Sequence, residues 1–434
     1  KLITTGTVNT LIGGLAGSAL TTGGDNIAIG YAALKTEDAH GKNIAIGVQA
    51  LEDQDAGADA YNIAIGHQAG RDVSTGINNV LVGGLAGDAI TTGSYNVALG
   101  TNALGVSILP SFNTAIGNAS LGSNVHGHKN TAVGSGSLSS MAPTGSADTF
   151  NTAVGFNAGT AVTTGINNTL VGAAAGDALT EGTYNVAIGR SALSTEDTYG
   201  FNVAVGAFAL LDQNAGDNAF NVAVGYAAGE NVSTGIRNTL IGGLAGDALT
   251  TGTSNVAVGK SALSTEDTGG GGTAIGFEAL HDQDGGGNNT AIGYQAGKTI
   301  TTGLNNIVIG AVGVTSSVSV NNEVNLFNGS VVARFQGSAS SWSFVSDERD
   351  KSDIEDLELG TEFINKLKPR KFKWNHRSTD NDKGKQASGF VAQEIQEVLD
   401  NESIDYSGIV DTNNPDQYTV AQASMIPMLV KAIQ

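Results

Sequence analysis

The chain has 434 residues, 62 of them glycine, no cysteine and a formal charge of −20, which excludes a disulfide framework. Residues 1–340 hold 10 Lys and Arg against 24 Asp and Glu, and residues 341–434 hold 11 against 17, so neither part offers the basic footprint that nucleic acid requires. No run of 18 apolar residues predicts a membrane span, and a start at Lys1 without a signal-like stretch reads as a piece of a longer soluble protein.

From the first residues onward a pentapeptide of the form Asn-x-Ala-Ile/Val-Gly, loose at its third position, recurs eighteen times, ending first at Gly13 and last at Gly310. Of the seventeen intervals, fourteen are 17 residues, two are 19 and one is 21. A fixed period with rare insertions of even length predicts a parallel β-solenoid whose rungs stack in register and whose extra residues bulge into loops. The stretches Gly13 to Gly83 and Gly172 to Gly242 share the interval pattern 17-17-19-17, and a slightly shorter copy runs from Gly242 to Gly310. Duplication of a four-rung block accounts for this.

Within a rung, the alternation in Asn26-Ile27-Ala28-Ile29-Gly30 predicts a strand that buries Ile27 and Ile29 and turns Ala28 to the other face. A second strand is expected from Tyr31-Ala32-Ala33-Leu34, and likewise from His67-Gln68-Ala69-Gly70. Gly at each strand end supplies a tight corner or positive φ. Asn before each strand either bonds its own turn or ladders with Asn of neighbouring rungs. So narrow a roll buries little apolar area per residue, so a homotrimer of parallel chains is expected, about 80 Å long over eighteen rungs. The repeated pentapeptide resembles the head of trimeric bacterial adhesins, which implies a β-roll in a three-chain bundle.

Several loops invite chemistry. Asp53, Asp55 and Asp59 alternate with other residues around Gly57, with copies at Asp212-x-Asn214-x-Gly216 and Asp282-x-Asp284-x-Gly286. Such oxygen spacing suits calcium. A polar turn is the competing reading, because no glutamate stands where an EF-hand loop needs one. His126 and His128 could gather six imidazoles about a threefold axis around a transition metal, or be exposed loop histidines. Glu37-Asp38, Glu196-Asp197 and Glu266-Asp267 are adjacent carboxylates with no aromatic platform, and read as solvated acidic loops rather than a glycosidase pair. Gly84-Leu85-Ala86-Gly87 lacks a Walker lysine, which sets nucleotide binding aside.

The period breaks after Gly310. Val314 to Val320 alternates with Ser, Asn325 to Gly329 reads as a turn, and Val331 to Phe335 as a strand, giving a β-connector over 311–345. Then Ser346-Asp347-Glu348-Arg349-Asp350-Lys351 sets a hydroxyl five residues from an amine. A lysine held neutral can activate a serine, although by itself this spacing equally fits a charged, solvated turn. Helical spacing follows over Asp353 to Leu367, ahead of Pro369, then over Phe390 to Leu399 and from Met425 to Ile433.

Leu367-Lys368-Pro369, Phe372-Lys373-Trp374, Gly389-Phe390-Val391-Ala392-Gln393-Glu394, Tyr418 and the segment Pro427 to Gln434 complete the pattern. In this order, residues 341–434 resemble the C-terminal intramolecular chaperone of phage tail fibres and endosialidase-type tailspikes. The resemblance implies a small α+β domain that trimerises, helps the fibre before it to fold, and then releases itself through a Ser-Lys dyad. Carried onto this chain, the nucleophile is Ser346, the base Lys351, and the bond cut lies between Ser346 and Asp347. The family's last helix usually continues past the position of Gln434, so a natural end beyond it is expected.

The expectation is a mainly β protein: a solenoid shaft over 1–310, the connector over 311–345, and a chaperone and autoprotease domain over 346–434. Its function would be that of a virion tail fibre, with a host surface receptor or glycan and other fibre proteins as partners. A trimeric cell-surface adhesin built from the same modules is the alternative. No cofactor is required beyond possible calcium in the repeat loops, and the only reaction expected is one self-cleavage per chain, with no external substrate.

Overall fold

The computed structural model describes residues 4–313, 315–328, 332–336, 343–344, 352–373, 386–404, 408–412 and 418–434. The chain divides after Val345 into two compact units, Lys1–Val345 and Ser346–Gln434.

In the first unit, eighteen three-residue strands, from Thr10–Ile12 to Ile307–Ile309, stack in parallel into one sheet. Each residue faces its counterpart one rung on, as in Ile27↔Ile44, Ala28↔Ala45 and Ile29↔Ile46. The register survives the longer intervals: Ile44 pairs with Ile63 and Thr131 with Thr152. The added residues therefore sit in loops, as the even-numbered insertions predict. Beside the 21-residue interval, Gly127–His128 and Ala147–Asp148 form a small parallel pair of their own.

The strands face the opposite way from the expectation. Ala28 is fully buried while Ile27 and Ile29 are only half-buried, and the same pattern holds for Ala45 between Ile44 and Ile46. The lumen explains this: the one inward residue and the facing turn share its volume, so Ala28 packs in the core with Ala33 and Leu34, while the fully buried Leu81 fills the same place in its rung where Gly70 and Gly87 leave room. Two β-branched rows inside would overfill it. They line the outer face of the sheet instead.

The second strand of each rung does not form either. Tyr31–Leu34 is a turn, with Ala32 at φ 56° and Leu34 at φ 48°. Left-handed backbone costs a leucine about 1–2 kcal/mol. Full burial of that side chain returns about 1.5–3 kcal/mol, and the turn is tied to both neighbours by Ala32 N–H to Gly14 O and Leu34 N–H to Ala50 O, each 2.9 Å.

The asparagines ladder, one of the two readings open from the sequence. The buried Asn62 Oδ1 accepts from Asn79 N (2.9 Å), and Asn79 Oδ1 accepts from Asn96 N (3.0 Å). Asn62 Nδ2 donates to Gly76 O at 2.8 Å and Gln54 Oε1 at 2.6 Å, so this buried amide is satisfied on both sides. Corner glycines are required by geometry: Gly206 has φ 140°, and a Cβ there would lie 2.2 Å from Gly225 O.

The sheet continues past Gly310. Glu323–Phe327 pairs in parallel with Ile307–Ile309, so Asn325 to Phe327 is strand rather than turn. It then pairs antiparallel with Val332–Gln336, which pairs with Ser343–Phe344.

The second unit contains helix α1 (Thr361–Lys366), an antiparallel pair Arg370–Lys373 and Gln386–Gly389, and helix α2 (Ala392–Asn401). A short pair Val410–Asp411 and Thr419–Val420 follows, then a 3-10 turn Gln422–Met425 and helix α3 (Ile426–Ile433). α1 begins eight residues later than the spacing from Asp353 predicts. Asp353 lies at φ 53°, a left-handed conformation that no right-handed helix contains, and Gly360 is the N-cap.

Candidate functional site

The second unit has its own small core. α2 buries Ala392, Ile395 and Leu399 along one face, spaced three and four residues apart as a helix requires. Phe363 and Leu367 from the α1 segment, Ile409 and Val410, and Met425 and Met428 close over them. Thr361 Oγ1 donates to Ala432 O at 3.1 Å, fixing α1 against α3. Arg370 clamps Glu394 through two parallel bonds, Nε to Oε2 at 2.9 Å and Nη2 to Oε1 at 2.7 Å, so the strand is tied to α2. The Arg370 guanidinium holds the Glu394 carboxyl below its ordinary range.

An apolar pocket of about 460 Å³ opens between Ile364, Leu367, Pro369, Phe390, Met425 and Leu429. On α3, Ile426, Leu429, Val430 and Ile433 are exposed on the surface of the chain. The core is thus built, yet the last helix still shows apolar side chains outward. Ser346, Asp347, Asp350 and Lys351 lie outside the described residues, which resume at Ser352.

Residues 346–404 match the family model described as chaperone of endosialidase, and its first residue coincides with the first residue of the second compact unit. Over these residues the C-terminal unit is similar to the chaperone-of-endosialidase family. Such a domain supports a trimerisation and folding-chaperone role, in a phage-type fibre. No curated protein and no solved structure matches the chain. Among the described residues, no helix is long and apolar enough to cross a membrane.

In the shaft that precedes the chaperone domain, the loop ligands regroup. Asp59 pairs with Lys42 Nζ at 2.7 Å, which holds its carboxyl below the usual range. Burial pushes Asp53 upward. Asp55 joins a different set: one ligand atom each from Glu37, Asp38, His40 and Asp55 lie within 4.8 Å of one another. Among the described residues, Asp53, Asp55 and Asp59 form no such group. His128 is occupied on both ring nitrogens, Nδ1 accepting from Ser111 N at 2.9 Å and Nε2 lying 2.8 Å from Ser146 Oγ. The Nδ1 of His126 is buried without a partner.

Glu37, Glu196 and Glu266 are fully buried rather than solvated, the residues sequence reasoning missed. Their signal was the same Thr-Glu-Asp at the same place in each block. Glu37 Oε1 accepts from His40 N at 3.0 Å, and Glu196 Oε1 from Tyr199 N at 3.1 Å, while Oε2 of each has no hydrogen-bond partner. Burial raises both carboxyls, Glu196 to about 7. Glu266 instead accepts from Gly269 N (2.5 Å), Gly285 N (3.0 Å) and Gln283 Nε2 (2.8 Å).

Proposed function

We propose that the chain is the shaft and terminal chaperone of a homotrimeric virion fibre with a host-attachment role. The observation that carries this reading is the outward face of the sheet. Rows such as Ile188, Ile241, Ile275, Ile292 and Ile309 stay exposed on a single chain. The third position of each of the eighteen strands is Ile, Val or Leu, so at roughly 4.8 Å per rung this apolar row runs unbroken for about 80 Å. Monomers rarely expose more than a few hundred Å² of contiguous apolar surface. Three parallel copies that turn this face inward cover it, and the exposed residues of α3 in the chaperone domain suit the same threefold packing.

Trimerisation would bring the junction into its reactive form. The Ser346 hydroxyl, its proton taken by a neutral Lys351 amine, adds to the carbonyl of the Ser346–Asp347 link; Lys351 hands that proton to the departing Asp347 amine, and water opens the resulting four-membered lactone to restore the hydroxyl and leave a Ser346 carboxylate. Because the groups belong to one folded assembly, the step needs no other enzyme. Native mass spectrometry at micromolar concentration tests the assembly, with trimer expected and monomer overturning it. Intact mass tests the cut: wild type should give fragments ending at Ser346 and beginning at Asp347. Ser346→Ala, Lys351→Ala and Lys351→Arg should stay whole, since arginine keeps its proton. Cutting that persists in Ser346→Ala removes the dyad assignment and leaves the fibre reading untouched.

A further inference from the structure

The three buried glutamates differ because of loop length. In the third block the interval Gly276 to Gly293 is 17 residues, and Gln283 reaches back to Glu266. In the first block the matching interval Gly47 to Gly66 is 19, and Gln54 donates instead to Ser74 O at 3.0 Å while accepting from Asn62 at 2.6 Å. Glu37 thereby loses the amide that Glu266 keeps. Facing it are a histidine and two further carboxylates. His40 Nδ1 is itself buried, makes no hydrogen bond, and stands 3.7 Å from Glu37 Oε1.

We propose that Glu37, Asp38, His40 and Asp55 form a binding site for a divalent transition cation of the zinc or manganese class. Two observations point to it independently of the acidic clustering: a fully buried carboxylate oxygen and a buried imidazole nitrogen, both without hydrogen-bond partners in the same pocket. Both are electron-pair donors, and a cation satisfies them at once. Ligands on opposite sides of one ion stand about 4–5 Å apart, and the four donor atoms lie within 4.8 Å. Asp38 and Asp55 are exposed, so their side chains adjust to the ion without disturbing the core. The imidazole favours zinc over calcium, and the three carboxylates admit manganese. The related pockets are internal controls. Around Glu266, where Asp267 and Asp284 also come within 4.8 Å, both carboxylate oxygens already accept from N–H donors and Gly269 stands in place of His40, and around Glu196 the equivalents of His40 and Asp55 are Tyr199 and Asn214.

The test uses the full chain, stripped with chelator and titrated calorimetrically with Zn²⁺ at neutral pH. One ion per chain should bind, with a rise in melting temperature. Glu37→Gln, His40→Ala and Asp55→Asn should each weaken binding at least tenfold. Glu266→Gln and His126→Ala should bind as wild type does. Asp55→Asn changes an exposed loop residue, so its result does not depend on the core tolerating a substitution. Absence of Zn²⁺ binding, or binding unaltered by the first three substitutions, overturns the site. Loss in Glu37→Gln with full retention in His40→Ala overturns the ligand set.

Discussion

Glu196 and Glu266 sit at equivalent places in the second and third blocks, both fully buried, each accepting a backbone N–H three residues further on. The rung after Glu196 is 19 residues long, and its Gln213 is drawn to Ser233 O at 3.1 Å. The rung after Glu266 is 17 long, and its Gln283 bonds the carboxylate. Two residues of loop thus decide whether a buried charge is solvated by protein. Burial, with no amide to offset it, raises the Glu196 carboxyl to about 7, so it keeps its proton through mildly acidic conditions.

The largest expected effect tests whether the two rungs share one skeleton. Gly206 (φ 140°) and Gly276 (φ 137°) both place a would-be Cβ 2.2 Å from the next rung's carbonyl oxygen. Gly206→Ala and Gly276→Ala should each destabilise their rungs by about 3 kcal/mol or more, read by hydrogen exchange of the strand amides. Unequal losses would show that the skeletons differ.

One substitution should then act with opposite signs. At pH 8, Glu196→Gln replaces a buried, under-bonded carboxylate and should stabilise by about 1–3 kcal/mol. Glu266→Gln points an amide at three donors and should destabilise by about 1–3 kcal/mol. Equal signs in thermal melts would dissolve the distinction drawn from Gln213 and Gln283.

The pH dependence follows from the same contrast. A folded value of about 7 against an ordinary 4.5 means that the folded rung holds more protons than the unfolded chain between those limits. Stability around Glu196 should therefore fall as pH rises from 4.5 to 7 and stay level above, by on the order of 3 kcal/mol. Glu196→Gln should flatten that slope. A slope unchanged in the variant would assign it to another group.

The smallest effect lies in the loops themselves. Gly216 (φ 70°) and Gly285 (φ 72°) have nothing within 4 Å of where an added methyl would stand, so Gly216→Ala and Gly285→Ala should cost only about 1 kcal/mol, from backbone conformation alone. A larger loss at either, in thermal melts, would reveal a neighbour over that loop, such as another chain of the proposed trimer.

Much of the skeleton is legible in the residues alone. The 17-residue period yields the parallel register and the corner glycines yield positive φ, because each is a local demand repeated at fixed spacing, while the recurring Asn leaves its own turn and the ladder both open until the rungs are stacked. In the chaperone domain, helices α2 and α3 begin within two residues of where the apolar spacing places them. The strand from Glu323 escapes such a reading because Asn-Gly looks like a turn, whereas Asn325 is buried and paired with Val308 across the sheet.

The candidate sites were legible in residue type and not in partnership. Asp53, Asp55 and Asp59 are close in sequence, yet Lys42 takes Asp59 from one rung back and Glu37 and His40 take Asp55. Neighbours in this solenoid are 17 to 21 residues apart, so adjacency along the chain says little about which ligands meet.

By itself the sequence determined the period, the in-register stack and the glycine corners, since all of these follow from repetition and local backbone chemistry. Only the tertiary structure decided which face of each strand turns inward and which glutamate receives a donor. Alternation fixes a period of two without fixing its sign, and the room left by the facing turn sets that sign in favour of the single middle residue, alanine in most rungs and leucine in others such as Leu81. The reach of Gln54, Gln213 and Gln283 depends on loop length in the adjoining rung, a distance that exists only once the rungs are stacked.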